Sequence, residues 1–374
     1  PLLISLGIII FATFNITLLN RPEILENYNI SLIWINLLNW LPLFIFYFCL
    51  KFYLISFKKR IAFAKVLIYG TIPVIISMIL QKFFSLYGPF ETLFGLIVWF
   101  QKPLLSNNLG VSGLFSNSNY AGAWLVLISP FSFLLVQYSK KNSFRLIFLI
   151  ILISIIYMIL LTASRNALLG LFIICLLLLG IKKYFKKILF WLTPFILIIT
   201  FLRLNINLVL NKYLSIKVIE RIINPIDYPR IGIWETAVNR IQERPIFGWG
   251  GSTFSLLHFQ DTYKVDTGNS LINAQHTHNV ILELAYNYGI PLATILCFTV
   301  IIFLSRSIKL IYFSDFFSYE RFANKVWFAS LVVFFVIHNF DITFYDGKIN
   351  ILLCLLLAGN FCIIKELENK KTIN

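Results

Sequence analysis

KKNSFRLIFLIILISIIYMILLTASRNALLGLFIICLLLLGIKK, residues 140 to 183, holds two apolar runs, about 144 to 161 and 166 to 181, joined by a turn of a few polar residues. A bilayer core is crossed by a helix of roughly 20 apolar residues, and a lone segment in lipid must satisfy its own backbone polar groups, which selects the helix. The stretch therefore reads as a hairpin of two membrane-spanning helices. Lys140, Lys141 and Arg145 stand at one end of it and Lys182 and Lys183 at the other, so both ends lie on one side of the membrane. The turn that carries Arg165 lies on the opposite side.

The same pattern extends along the chain. Of its 374 residues 59% are hydrophobic and 13% charged, more apolar surface than one water-soluble core hides. About ten spans can be read at the length a bilayer requires, near 1–19, 32–56, 61–80, 120–137, 144–161, 166–181, 187–203, 288–305, 326–343 and 349–364. The expected fold is thus an all-α, polytopic integral membrane helix bundle.

The net charge of +16 is not a nucleic-acid footprint, because the Lys and Arg residues sit in short clusters between spans instead of along one polar face. Clusters at Lys58-Lys59-Arg60, Lys140-Lys141-Arg145, Lys182-Lys183-Lys186-Lys187, Arg306-Lys309-Arg321-Lys325 and Lys365-Lys370-Lys371 alternate with nearly charge-free connections. The positive-inside rule places those five, and both termini, on the cytoplasmic side. The outer connections are then 20–31, 81–119, the turn near 162–166, the long segment 204–287, and 344–348. Three regions follow: an N-terminal bundle at 1–203, an outer-face subdomain at 204–287, and a C-terminal set of spans with a cytoplasmic tail at 288–374. The chain begins at Pro1; a further N-terminal piece is compatible with this start, and the first span lacks the flanks of a cleavable signal. Cys49, Cys175, Cys297, Cys354 and Cys362 all fall in apolar spans and read as small core hydrophobes. ETLFGLIVWFQ, 91–101, is short for a span and reads as interfacial or re-entrant.

Within the outer segment, IGIWETAVNRIQER from Ile231 carries Ile233, Trp234, Ala237, Val238 and Ile241 at helical spacing, opposite Glu235, Asn239, Gln242 and Glu243. Pro229 suits the first turn of this amphipathic helix, and Pro245 with the following FGWGG ends it.

With orientation set by charge alone, the unusual polar motifs all fall on the outer face: GLFSNSNYAG from Gly113, LTASRN from Leu161, YPRIGIW from Tyr228, GWGGSTF from Gly248, HTHN from His276 and HNFDITFYD from His338. These segments are far apart in the chain, so their convergence on one face marks a site. Arg165 sits in a tight turn on the face where positive charge is disfavoured, and is either a snorkelling anchor or an anion ligand. Arg230 shares the apolar face of its helix with Trp234 and Ala237, and a guanidinium on that face needs an anion; a pair with Glu235 or Asp227 is the structural alternative. His278 precedes a helix from Val280 to Tyr288 that Thr277 or Asn279 can cap. A helix N-terminus disfavours an adjacent cation, which keeps a neutral imidazole available to accept a proton. His276 and His278 are spaced i, i+2 without a carboxylate or Cys cluster beside them in sequence, a poor zinc pattern. No Asp-x-Asp pair occurs, so a phosphate-bearing substrate would be met by arginines without a divalent cation.

The ordered set SNSNYAG, TASRN, Arg230 at the head of a long outer loop, P-x-x-GWG at Pro245 and HTHNVILELAYNYGIPLA from His276 to Ala293 resembles the O-antigen ligase-like superfamily, over about residues 113 to 347. That superfamily includes O-antigen ligases, O-antigen polymerases and pilin oligosaccharyltransferases. The resemblance implies a GT-C-like membrane glycosyltransferase of about a dozen helices with a large periplasmic loop. It implies transfer of a glycan from undecaprenyl diphosphate to an acceptor hydroxyl on lipid A-core, another glycan or a protein, with no metal, cofactor or nucleic acid. It assigns the essential histidine to His278, followed by Asn279 and by Gly289 ten residues after that Asn, and the phosphate-binding arginines to Arg230 and Arg165. Asn119, His276, Asn279 and Trp234 are the accompanying substrate-binding candidates. Trp234 stands where ligases tend to have Leu, and Leu292 where they tend to have a small or polar residue. The implied location is the bacterial inner membrane, with the site on the periplasmic face.

A lipid-linked sugar transporter is the rival of another class. Transporters place ionisable residues along a path near mid-membrane, whereas the mid-span regions here are almost purely apolar.

Overall fold

A computed structural model describes residues 1–87, 90–92, 94, 97–99, 110–179, 228–265, 274–312 and 318–373. The regular secondary structure of the described residues is helical apart from one short antiparallel pairing. Helices α1 (Leu2–Phe14), α2 (Ile30–Leu37), α3 (Leu41–Tyr53) and α4 (Phe57–Phe83) are followed by strands β1 (Phe90–Thr92) and β2 (Ile97–Trp99). Then come α5 (Ser118–Tyr138), α6 (Asn142–Leu161), α7 (Arg165–Leu179), α8 (Tyr228–Glu243), α9 (Phe254–Val265), α10 (Val280–Tyr288), α11 (Ile290–Tyr312), α12 (Ser318–Ile337) and α13 (Gly347–Ile373).

Among the described residues, seven helical stretches are long and apolar enough to cross a membrane: Leu2–Leu19, Ile30–Tyr53, Phe57–Phe83, Ser118–Tyr138, Asn142–Leu161, Ile290–Tyr312 and Gly347–Lys370. The protein is a polytopic helical membrane protein. The expected span at 166–181 is the shorter apolar helix α7, and the one at 187–203 lies outside the described residues. The span expected at 326–343 falls on α12, which starts earlier, stops at Ile337 and is not among those seven. Ile342 and Phe344, which extended the apolar reading, are buried within a folded loop at 338–346. Within the stretch expected to be interfacial or re-entrant at 91–101, the described residues take part in an antiparallel pairing, with Phe90 opposite Trp99 and Thr92 opposite Ile97. The five cysteines are free thiols; Cys354 and Cys362 are buried as core residues, whereas Cys49 and Cys175 are exposed.

The chain divides into two compact units. Unit 1 comprises Pro1–Ile55, Ile226–Ser314 and His338–Asn374, and unit 2 comprises Ser56–Pro225 and Asp315–Ile337. In unit 1, α3 and α13 run parallel and in register. Asn350 Nδ2 donates to the Asn39 carbonyl at 3.0 Å, Cys354 Sγ to that of Leu43 at 3.6 Å and Cys362 Sγ to that of Lys51 at 3.3 Å. One end of this pair therefore carries Asn39 and Asn350, and the other carries Lys51 and the basic tail. At the first end Tyr288 donates to Asn36 at 3.1 Å, which ties α10 and the histidine motif to it. At the second end Arg306, near the end of α11, pairs with Glu368.

Unit 2 packs α5 against α4, α6, α7 and α12. Gly122 on α5 lets the Ser164 and Ala167 side chains approach; a Cβ there would sit 3.0 Å from each. The Ser330 hydroxyl of α12 donates to the Leu127 carbonyl at 2.7 Å, and the Trp124 indole to Thr71 at 3.1 Å. A buried Gln81 at the end of α4 accepts from the backbone N–H groups of Ser112 and Gly113 at 2.9 and 3.0 Å. This fixes the loop that leads into SNSNYAG.

Candidate active site

The histidine motif is held by three interlocking devices, all in unit 1. Asn279 caps α10, its Oδ1 accepting from the N–H groups of Ile281 and Leu282 at 2.9 and 3.1 Å, so the cap is Asn279 and not Thr277. Its Nδ2 donates to the Asn339 carbonyl at 3.0 Å, and the Val280 N–H donates to that of His338 at 2.9 Å. The loop at 338–346 is thus bound to the start of α10. At the other end of α10, Gly289 closes the helix at φ +91°, where a Cβ would collide with the Ile246 carbonyl. The Trp249 and Gly250 N–H groups donate to the carbonyls of Tyr286 and Asn287 at 2.8 and 3.0 Å. The GWGG motif is therefore a structural splice between the loop and α10.

Glu283, buried one turn into α10, is the hub of the motif. It accepts from the Thr277 N–H at 2.9 Å, from Asn287 Nδ2 at 3.1 Å and from the Tyr345 hydroxyl at 2.7 Å. The Tyr345 hydroxyl is pushed well above its ordinary range, first by burial and then by the negative charge it faces.

On this frame His278 adopts φ +55°, a left-handed conformation that costs about 1–2 kcal/mol for a side chain with a Cβ. The surroundings enforce it. Residues 277 and 279 are both pinned, and the ring meets Asp341: His278 Nδ1 lies 2.9 Å from Asp341 Oδ1. With the Nδ1 proton donated to the carboxylate, Nε2 presents its lone pair and has no partner among the described residues. The His278 side chain is 28% exposed and that of Asp341 4%, so the pair is an accessible imidazole backed by a buried carboxylate. Burial pushes the Asp341 carboxyl upward, but the hydrogen bond from His278 and the charges of His278, Arg230 and His276 outweigh it and hold the group below its usual range.

Arg230, in the first turn of α8, places Nη2 3.9 Å from the second Asp341 oxygen. The guanidinium on the apolar face thus lies beside Asp341; Asp227, one of its two expected structural partners, lies outside the described residues. On α8 the residues Ile233, Ala237 and Ile241 are buried as the periodicity required, whereas Val238 is exposed. Trp234 reaches across to donate its indole N–H to the Thr277 carbonyl at 3.0 Å, so its role in this geometry is to hold the histidine strand to α8. Further along, Arg240 bonds Asp261 of α9 at 2.9 and 2.5 Å and Glu243 at 3.0 Å, which closes α8 on α9.

His276 packs edge-on to His278 with ring centroids 4.3 Å apart and stacks on Tyr345 at 6.0 Å. Its buried Nδ1 has no hydrogen-bond partner among the described residues. Burial lowers its proton affinity, and the adjacent His278 lowers it further against the opposing pull of Glu283 and Asp341. The buried His338 bonds Thr343 at 2.9 Å and serves the loop.

The structure therefore brings together His278, Asn279, His276, Arg230 and Trp234. Asn119 and Arg165 belong to unit 2, where they occupy the first turns of the adjoining helices α5 and α7. Asp341, Glu283 and Tyr345 were not among the expected site residues. The motif HNFDITFYD carried the signal for Asp341, but nothing in linear spacing pairs it with a histidine 63 residues away. Among the described residues no group of three or more His, Cys, Asp or Glu forms a metal-binding cluster.

No curated protein matches the chain. Residues 150–297 match the family model described as O-Antigen ligase, a stretch that takes in the Arg165 turn, Arg230, the His278-Asn279 motif and Gly289. Over that stretch, less than half of the chain, the protein is similar to the O-antigen ligase family.

Proposed function

We propose that the protein is an inner-membrane glycosyltransferase that moves a glycan from a polyprenyl diphosphate carrier to an acceptor hydroxyl at the outer face. The observation that carries this reading is the His278–Asp341 pair with Arg230 beside it. A sugar hydroxyl is a poor nucleophile until a base shares its proton. His278 Nε2 can take that proton while Asp341 holds the ring's tautomer and stabilises the imidazolium that forms, the roles of a buried carboxylate behind a catalytic histidine. The leaving diphosphate develops negative charge as the glycosidic bond breaks, and Arg230 would stabilise it; Arg165, in unit 2, is the second phosphate ligand that the resemblance implies. Asp341 loses part of its compensation from Arg230 as the guanidinium turns to the diphosphate, which strengthens its hold on the protonated ring. Direct displacement inverts the anomeric carbon and leaves no glycosyl-enzyme. The arginines make a divalent cation unnecessary.

The family match supports O-antigen ligase-like chemistry, and a polymerase of the same superfamily is the second reading, since only the acceptor differs. The test is transfer by purified protein from a polyprenyl-diphosphate glycan, with lipid A-core and a second lipid-linked glycan offered as acceptors. Glycan on lipid A-core supports the ligase, and chain extension supports the polymerase. Transfer to neither acceptor, with active donor, overturns the reading.

A further inference from the structure

At the end of unit 1 opposite the histidine motif, a cavity of about 430 Å³ is lined by Lys51, Phe52 and Ile55 of the α3 end and by Phe361, Cys362, Lys365, Glu366, Asn369 and Lys370 of α13. The parallel register of α3 and α13 is what brings these residues together. Asn350, at the histidine end of α13, and Lys365 are separated by about 22 Å along the axis at 1.5 Å per residue. The cavity therefore lies at the end of the α3/α13 pair away from the histidine motif.

Its charges do not balance. Glu366 is engaged by Lys370 at 2.9 Å, which leaves Lys51 and Lys365. Neither has a carboxylate partner among the described residues. The Lys51 ammonium is instead gathered by aromatic faces, 5.2 Å from the Tyr47 ring centroid, 4.7 Å from Phe48 and 4.8 Å from Phe361. Lys365 lies 6.0 Å from the same Phe361 ring. Two ammonium groups lining one cavity favour an anion between them, and rings can hold such groups without consuming their N–H donors. Beside this basic floor, Phe52 and Ile55 are 72% and 61% exposed, an apolar rim suited to hydrocarbon. Basic headgroup and apolar tail surfaces side by side describe an amphiphile, and we infer that this cavity binds the phosphate headgroup of an anionic phospholipid from the leaflet opposite the histidine site, with its acyl chains along Phe52 and Ile55. The inference stands apart from the proposed glycosyl transfer.

The test is native mass spectrometry of the protein released from phosphatidylcholine nanodiscs doped with phosphatidylglycerol. Wild-type protein should retain phosphatidylglycerol over phosphatidylcholine, and Lys51→Gln/Lys365→Gln should lower that retention about tenfold. Lys58→Gln/Lys59→Gln, outside the cavity, should leave it unchanged, and inorganic phosphate should not displace the lipid. The single exposed-residue variant Lys365→Gln, expected to lose retention in part, covers the case in which the double variant fails to fold. Equal retention of both lipids, equal loss in the two double variants, no loss in Lys365→Gln, or displacement by inorganic phosphate alone each overturns the inference.

Discussion

His278 and Asp341 are expected to fail together. If Asp341 acts through the Nδ1 contact, then His278→Ala lowers the transfer rate by roughly 100-fold or more, the usual contribution of a general base. Asp341→Asn should also lower the rate, and the double variant should be little worse than His278→Ala alone, because groups that act as a unit are non-additive. Additive losses would show that Asp341 works elsewhere. Arg230→Lys should be damaging too, since a point charge does not replace a planar fork on a diphosphate; wild-type rates in that variant would remove Arg230 from the site. His276 allows a test by pH. Its buried ring binds protons less readily than an ordinary histidine, whose value is near 6.5, so on acidification the unfolded chain takes up more protons than the folded one. The stability that the neutral ring contributes is present above about pH 6.5 and lost below it. The melting temperature in detergent should fall between about pH 7.5 and about pH 5.5 more steeply for wild type than for His276→Phe, and parallel slopes would sink the argument. At this scale His278, Asn279 and Arg230 were legible because motif and helical face mark them locally. Asp341 was not, because a contact between two loops leaves no periodicity.

Helix α10 is short and depends on its ends and its hub. Glu283 accepts three hydrogen bonds, one of them from a buried hydroxyl. Glu283→Gln turns one acceptor oxygen into a donor facing donors, which should cost about 1–3 kcal/mol. The expected outcome is a lower melting temperature and partial loss of transfer, and an unchanged melt would contradict the hub role. The amphipathic helix α8, the cap at Asn279 and the break at Gly289 could be read from the chain, since each rests on local chemistry. Residues 338–346 could not. Hydropathy records that Ile342 and Phe344 avoid water, and it does not distinguish burial in lipid from burial in a loop. The exposed Cys49 and Cys175 show the converse, because a span residue can face lipid as readily as protein.

Across the whole molecule, the alternation of basic clusters with uncharged turns reappears as a polarity of unit 1. The histidine motif lies at one end, and Lys51, Lys365 and the Arg306–Glu368 pair lie at the other. A cysteine introduced at Gln275 should therefore be labelled from outside intact cells by a membrane-impermeant maleimide, and one at Lys370 only after the membrane is opened. The reverse pattern would place the site on the cytoplasmic face and remove the lipid-diphosphate donor. Among the described residues seven of the expected spans were legible, because hydrophobic length is additive along the chain. The composition of the two units was not, because each is assembled from separate stretches. The parallel pair of α3 and α13 sets a clock on that assembly. Its hydrogen-bonded partners are 311 residues apart, and a ribosome adding about 5–20 residues per second needs roughly 15 to 60 s to cover the interval. For that time α3 sits in the bilayer with the carbonyls of Asn39, Leu43 and Lys51 awaiting their partners, so unit 1 completes only when α13 is delivered, and a nascent chain halted before α13 is a substrate for membrane quality control.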